Sequence, residues 1–231
     1  MCGIMGFVAT GAVSRHRTVM FLQDLFAGIS VRGKDACGYS VVKANNEMVT
    51  EKYSRSSDVV AYGNKFAKAL DGAVAMIGHA RLATHGSPAD NRNNHPFVSD
   101  DGISVVHNGT LYAPPKLLKI TSECDSEYIL RAIEKYGVAG AMNLFKRIDT
   151  TQPFMNRYAV LGIDRIKRSL FSFRNPESPL IVADLSSSLG LTIFASTYEI
   201  LKQALIESGA WMPKRLLYNE TKPYHLYKLR Y

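Results

Sequence analysis

Cys2, directly behind Met1 in "MCGIMGFV", has a chemical option that no other cysteine of the chain shares. If Met1 is removed, one residue carries both a thiol and a free α-amine, so a nucleophile and a base come together without a histidine. An α-amine has a pKa of roughly 7.7 to 8.0, so near neutral pH part of it is unprotonated and can take the thiol proton. With Met1 retained, that nitrogen is an amide and cannot serve. The ordinary free cysteine is a small buried hydrophobe. That reading suits Cys37, inside a strand-like run, and Cys124, just ahead of a helical one. Three cysteines with neither CxxC nor zinc-ligand spacing indicate no disulfide framework and no structural metal.

Four further stretches carry polar chemistry: "RGKDACG" (32–38), "GHARLATHG" (78–86), "HNG" (107–109) and "ECDSE" (123–127). In "VVHNGT" a side-chain amide and a glycine that permits close backbone approach follow the end of an apolar run, although Asn-Gly is equally a turn signal. Arg81 follows "VAMIGHA", where an unpaired charge would be costly, so it needs a partner or a ligand. His79, His85 and His107 lie in different motifs without HxxxH or HxH spacing, which argues against a metal and favours satisfied structural histidines at His79 and His107.

The elements that must position these residues are mostly strands. "GIMGFVA", "CGYSVVKA", "AVAMIGHAR", "ISVVHNG", "RYAVLGID", "LFSFR", "PLIVADL" and "LTIFAST" have strand length and β-branched or aromatic content. Helical patterns fall at "HRTVMFLQDLFAGISVR", "SSDVVAYGNKFAKAL", "CDSEYILRAIEKYG" running into "VAGAMNLFKRI", and "STYEILKQALIESG". Gly137 is a good residue to end the third helix, and Asp125 sits at its start. Few helices per strand, arriving in groups, suggest sheets packed on each other with helices outside. The loop "THGSPADNRNNHPFVSDDG" is long enough to be functional rather than a simple connection.

With 231 residues, 46% of them apolar, and no repeat or linker-like shift, the chain reads as a single domain over 1–231. No run approaches the roughly 20 apolar residues of a membrane span, and the start lacks the parts of a secretory signal. The expectation is a soluble, cytoplasmic protein with no membrane partner. The formal charge of +8 could favour an anionic partner, but the basic residues are scattered over "RHR", "DRIKR" and "KPYHLYKLRY", which argues against nucleic acid.

Taken in order and spacing, "MCGI", "RGKDACG", "GHARLATHG", "HNG" and "ECDSE" resemble the class II glutamine amidotransferases. This N-terminal nucleophile family includes the glutaminase domains of glucosamine-6-phosphate synthase and amidophosphoribosyltransferase. "NNHPF" and, more loosely, "LFSFRNPESPLIVAD" and "TIFASTYEIL" extend the likeness over most of the chain. The resemblance implies an α+β fold, the αββα sandwich of two stacked, mainly antiparallel sheets between helical layers. It implies hydrolysis of L-glutamine to glutamate and ammonia through a γ-glutamyl thioester on Cys2, with no cofactor. The Asn108 side chain and the Gly109 N–H would hold the oxyanion, and Arg32 would order the site around Cys2, with Gly33, Asp35 and Gly38 shaping its loop. Arg81 would take the substrate carboxylate with help from Thr84 and His85, and Asp125 the α-ammonium. Ammonia would pass to a separately encoded synthase or nucleotide-modifying enzyme. Two other readings stay open: hydrolysis of another γ-glutamyl amide, and a non-catalytic glutamine-binding or scaffold subunit. Leu82 stands where the sugar-phosphate synthase branch often has tryptophan, so that branch's signalling contact is not implied here.

Overall fold

The computed structural model describes residues 1–14, 16–112, 118–209 and 217–231, which leaves Arg15 of "RHR" outside the described residues. In chain order the elements are β1 (Gly3–Ala9), α1 (His16–Gly28), a 3-10 turn (Ile29–Arg32), β2 (Ala36–Lys43), β3 (Met48–Tyr53), α2 (Ser57–Ala61), α3 (Asn64–Leu70), β4 (Ala73–Arg81), β5 (Phe97–Val98) and β6 (Ile103–Leu111). They continue with α4 (Glu127–Thr151), β7 (Asn156–Asp164), β8 (Ser169–Arg174), β9 (Ile181–Leu185), α5 (Ser186–Leu189), β10 (Leu191–Ala195), α6 (Tyr198–Glu207), β11 (Tyr218–Glu220) and β12 (Tyr227–Arg230). A seven-stranded sheet runs β11-β9-β10-β1-β4-β2-β3, and a five-stranded sheet runs β12-β8-β7-β6-β5.

The two-residue period of a strand explains how the layers stack. In β1, Met5 and Phe7 face Phe21, Leu25 and Phe26 of α1 and Leu201 and Leu205 of α6. The intervening Ile4 and Val8 face Val106, Ala159 and Leu161 of the other sheet. Both faces are covered, which is why β1 is apolar throughout, β4 is apolar except for His79 and Arg81, and both are buried at every position. The outer face of the second sheet sets Val105, Tyr158, Phe171 and Phe173 against Ile129, Ile133 and Phe145 of α4. The result is helices, sheet, sheet, helix: the αββα sandwich. Among the described residues no helix is long and apolar enough to cross a membrane.

Several details differ from the local pattern. The helical stretch 56–70 breaks at Tyr62 and Gly63 into α2 and α3. Gly137, with φ +69°, interrupts α4 as its type suggests, but the helix resumes beyond it. β3, "MVTEKY", is an edge strand whose residues are all half-buried, so it lacks the apolar signal of its neighbours. Two of the basic stretches are not scattered in space: β12 pairs with β8, and the Tyr231 N–H donates to the Arg168 carbonyl at 3.2 Å.

Candidate active site

Strand order brings the expected residues to one end of the sandwich. β1 lies antiparallel to β4 with Gly3 opposite Ala80, so Cys2, one residue before β1, arrives beside the end of β4 that carries Arg81. On the other side of β4, Ala36 of β2 stands opposite Arg81. The "RGKDACG" loop can close on this junction because residue 33 is glycine: a Cβ there would lie 2.4 Å from the backbone of Arg81 and Leu82. The Asp35 N–H donates to the Arg81 carbonyl at 3.0 Å, and the Asp35 carboxylate accepts from the Ala83 N–H at 2.8 Å. Arg32 reaches back to donate from Nε to the Cys2 carbonyl at 2.8 Å, which orients the first residues of the chain.

The Cys2 thiol is nearly enclosed, with 9% of the residue exposed. The Leu82 N–H donates to Sγ at 3.4 Å, and the thiol faces the Leu82 carbonyl at 3.5 Å. Burial pushes the thiol above its ordinary pKa, while the Leu82 N–H and the positive charges of the chain terminus and Arg81 pull it down and Asp125 raises it. A thiol so placed holds its proton at neutral pH and needs a base. Burial pushes Cys37 up to about 12 and Cys124 up to about 11, which disfavours the thiolate at both.

Asn108 lies on β6, two residues beyond Val106 and therefore on the face turned toward β1. It is fully buried, and among the described residues neither its Nδ2 nor its Oδ1 has a partner. Leaving such a group unpaired costs about 1 to 3 kcal/mol, so the pair of vacant atoms marks a place where a polar group is wanted. Gly109 follows with φ +146°, and a Cβ there would sit 1.9 Å from the Arg157 carbonyl oxygen, so no other residue fits. Asn108 and Gly109 thus stand side by side within β6, opposite Ala159 and Tyr158 of β7.

Arg81 is buried, and its charge is met by polar groups of the following loop. Nη1 donates to Asn94 Oδ1 at 2.8 Å, and Nη2 donates to the His85 carbonyl and to the Gly86 carbonyl, the latter at 3.0 Å. His85 therefore meets Arg81 through its backbone; its ring is exposed and lies 3.2 Å from the Thr84 hydroxyl. Asp125, just ahead of α4, accepts from the Leu111 N–H at 2.6 Å. Glu127, beside it, pins the approach to α4. Burial opposes its charge, but hydrogen bonds from Ser122, Arg131 and Thr121 hold its carboxyl at about 2.

The histidines group differently from their sequence spacing. His79 and His95 stack with ring centroids 3.9 Å apart, and His79 Nε2 bonds the His107 carbonyl at 3.0 Å. His107 is satisfied by the Ser126 hydroxyl at 2.8 Å and the Arg157 carbonyl at 3.2 Å, whereas His79 Nδ1 and both His95 nitrogens have no partner among the described residues. His85 stands apart. Among the described residues no group of three or more His, Cys, Asp or Glu is placed to hold a metal ion. Sequence reasoning on single residues passed over Asn93, Asn94 and His95; the only signal was the run "NNHPF".

Stacked sheets between helical layers, with a cysteine at the head of a central strand, define an N-terminal nucleophile hydrolase fold. The chain carries a class II glutamine amidotransferase domain of that fold. It is 32% identical over 194 residues, 79% of its length, to glutamine–fructose-6-phosphate aminotransferase (isomerizing) of Sulfurisphaera tokodaii. It covers 31% of that relative, so the chain spans about a third of the length of the curated relatives it matches. Among solved structures, glutamine phosphoribosylpyrophosphate amidotransferase from B. subtilis superposes with a TM-score of 0.67 at 17% identity, covering 99% of this chain and 49% of the other. A glutamine aminotransferase class-II domain protein from Silicibacter pomeroyi gives 0.55 at 13% identity, covering 98% and 94%. No family model matches the chain.

Proposed function

We propose that residues 1–231 form one glutaminase module that hydrolyses the side-chain amide of L-glutamine and passes the ammonia to the acceptor site of a synthase. The observation that carries the reading is the Asn108 side chain, buried beside Gly109 with both polar atoms vacant among the described residues, on the face of β6 turned toward β1, the strand that Cys2 precedes. Such donors are useful only when an oxyanion forms in front of them.

In this mechanism the bond before Cys2 is first cleaved; Met1 is 59% exposed and open to removal. The freed α-amine takes the Sγ proton that burial otherwise retains. Sγ attacks the amide carbon, and the oxyanion is held by Asn108 Nδ2 and the Gly109 N–H. The ammonium of Cys2 returns the proton to the leaving nitrogen, ammonia departs, and water hydrolyses the thioester to glutamate. Arg81, with Thr84 and His85 beside it, takes the substrate carboxylate, Asp125 its ammonium, and Arg32 holds the Cys2 carbonyl still. The S. tokodaii relative is named for transfer to fructose 6-phosphate; glutamine is carried over here, and the acceptor is left to the partner.

The test is glutamate release together with intact mass before and after the electrophilic glutamine analogue DON. The expected result is a chain beginning at Cys2, labelled once on Cys2 and not on Cys37 or Cys124, with Cys2→Ala inactive. Full activity in protein that retains Met1 would overturn the α-amine mechanism.

A further inference from the structure

Asn93 and Asn94, adjacent in the loop after β4, join the two charges assigned above to the ends of the substrate. Asn94 is fully buried. Its Oδ1 accepts from Arg81 Nη1 at 2.8 Å, while its Nδ2 donates to the Pro88 carbonyl at 2.7 Å and to Asn91 Oδ1 at 3.0 Å. The amide is thereby locked in one orientation, with its oxygen aimed at the guanidinium. Asn93 turns the other way. Its Nδ2 donates to Glu123 Oε2 at 3.0 Å, and its Oδ1 accepts from the Glu123 N–H at 2.9 Å, a two-point tie to the segment that carries Asp125 two residues later. The loop is moored independently to β3 through the Lys52 ammonium, which donates to the Asn91 carbonyl at 3.2 Å.

Two consecutive residues of one strut thus hold Arg81 from one side and the Asp125 segment from the other. We propose that Asn93 and Asn94 are positioning residues that set the spacing between the carboxylate-binding and ammonium-binding charges, and so make the site selective for a free α-amino acid. The inference rests on the glutaminase reading. A neutral amide suits this task. It directs the guanidinium without cancelling its charge, which an aspartate at position 94 would do, and a guanidinium held in place gives up little freedom when it grips a carboxylate.

The test is steady-state kinetics with three γ-amides: L-glutamine, 4-aminobutanamide, which lacks the α-carboxylate, and glutaramate, which lacks the α-amine. Asn94→Ala is expected to raise KM for glutamine about tenfold with kcat held within about twofold, to weaken glutaramate equally, and to leave kcat/KM for 4-aminobutanamide unchanged. Asn93→Ala is expected to show the crossed pattern, weakening glutamine and 4-aminobutanamide but not glutaramate. Asn94→Asp keeps an acceptor oxygen toward Arg81 yet competes with the substrate carboxylate, so KM for glutamine rises there too; it decides the matter if the alanine variant does not fold. Equal penalties on all three amides, a loss confined to kcat, or an unchanged KM in Asn94→Asp would overturn the proposal. Wild-type protein that turns over glutamine while the variants match it sinks this inference alone; wild-type protein that neither turns over nor reacts with DON at Cys2 sinks both.

Discussion

In the proposed mechanism Asn108 and Gly109 would share the oxyanion between a side chain and a backbone, and the two respond differently to substitution. Asn108→Ala removes a donor that matters only when charge has formed. The expected outcome is a fall in kcat of about 10² to 10³, the range for one oxyanion donor, with KM changed much less. A variant that raises KM alone would reassign Asn108 to ground-state binding. Gly109→Ala is a backbone problem: at φ +146° with a carbonyl 1.9 Å from the new carbon, β6 cannot keep its register to β7. That variant is expected to be recovered poorly or to melt well below wild type in a thermal scan.

Two glycines show how elements serve the site to different degrees. Gly33 lets the "RGKDACG" loop lie against the end of β4, where the Leu82 peptide meets the Cys2 thiol. Gly33→Ala pushes on Arg81 and Leu82 together, so both Tm and kcat/KM for glutamine are expected to fall. Gly137, at φ +69° inside α4, has nothing within 4 Å of a would-be Cβ. Gly137→Ala costs the positive-φ backbone of φ 69° and ψ 169°, about 1 to 3 kcal/mol, or roughly 2 to 12 °C in Tm for a chain of this size. Its kinetics are expected to match wild type. Equal kinetic losses in the two variants would mean that the loop's close approach has no special bearing on the site.

At the scale of the whole molecule, the interior is poised against acid. Burial lowers His79 to about 3 and His95 well below its ordinary value, with the neighbouring histidines and Arg81 acting in the same sense. His107 is also lowered by burial, although Asp125 and the Arg157 carbonyl work against the shift. In the unfolded chain each titrates near 6.5, so between about 6.5 and 3 the unfolded state binds more protons than the folded one, and stability rises with pH. Stability is therefore intact above pH 6.5 and is lost as pH falls, at about 1.4 kcal/mol per pH unit for each histidine kept neutral. Glu127, held at about 2, adds to the loss below the ordinary glutamate range. Urea midpoints at pH 7.5 and 5.0 are expected to drop clearly, and His95→Phe, which keeps a ring against His79, is expected to lessen the drop. A flat profile would mean that the cluster takes up protons without unfolding.

Residue type and local period were enough to place β1, β4, β6, β7 and β10 within a residue or two and to mark the break in α4 at Gly137, whereas the nucleophile reading of Cys2 came from its place among motifs that resemble the amidotransferases. These properties are local: a strand buried on both faces is mostly apolar, and a positive-φ break in a helix favours glycine. The edge strands β3, β11 and β12 escaped because strands that are half-buried, as in β3, or largely exposed, as in β11 and β12, carry no continuous apolar run. Tertiary structure alone decided which residues meet. The order β10-β1-β4-β2 brings Cys2 to Leu82, eighty residues away, and the sheet-on-sheet stacking sets the face of β6 that carries Val106 and Asn108 against β1. The loop after β4 folds back so that Asn94 holds Arg81 while Asn93 holds Glu123. His95, not His85, joins His79. The physical reason is that the period of a strand encodes which face a side chain takes, whereas neighbours across strands depend on strand order and loop path, which no local pattern carries.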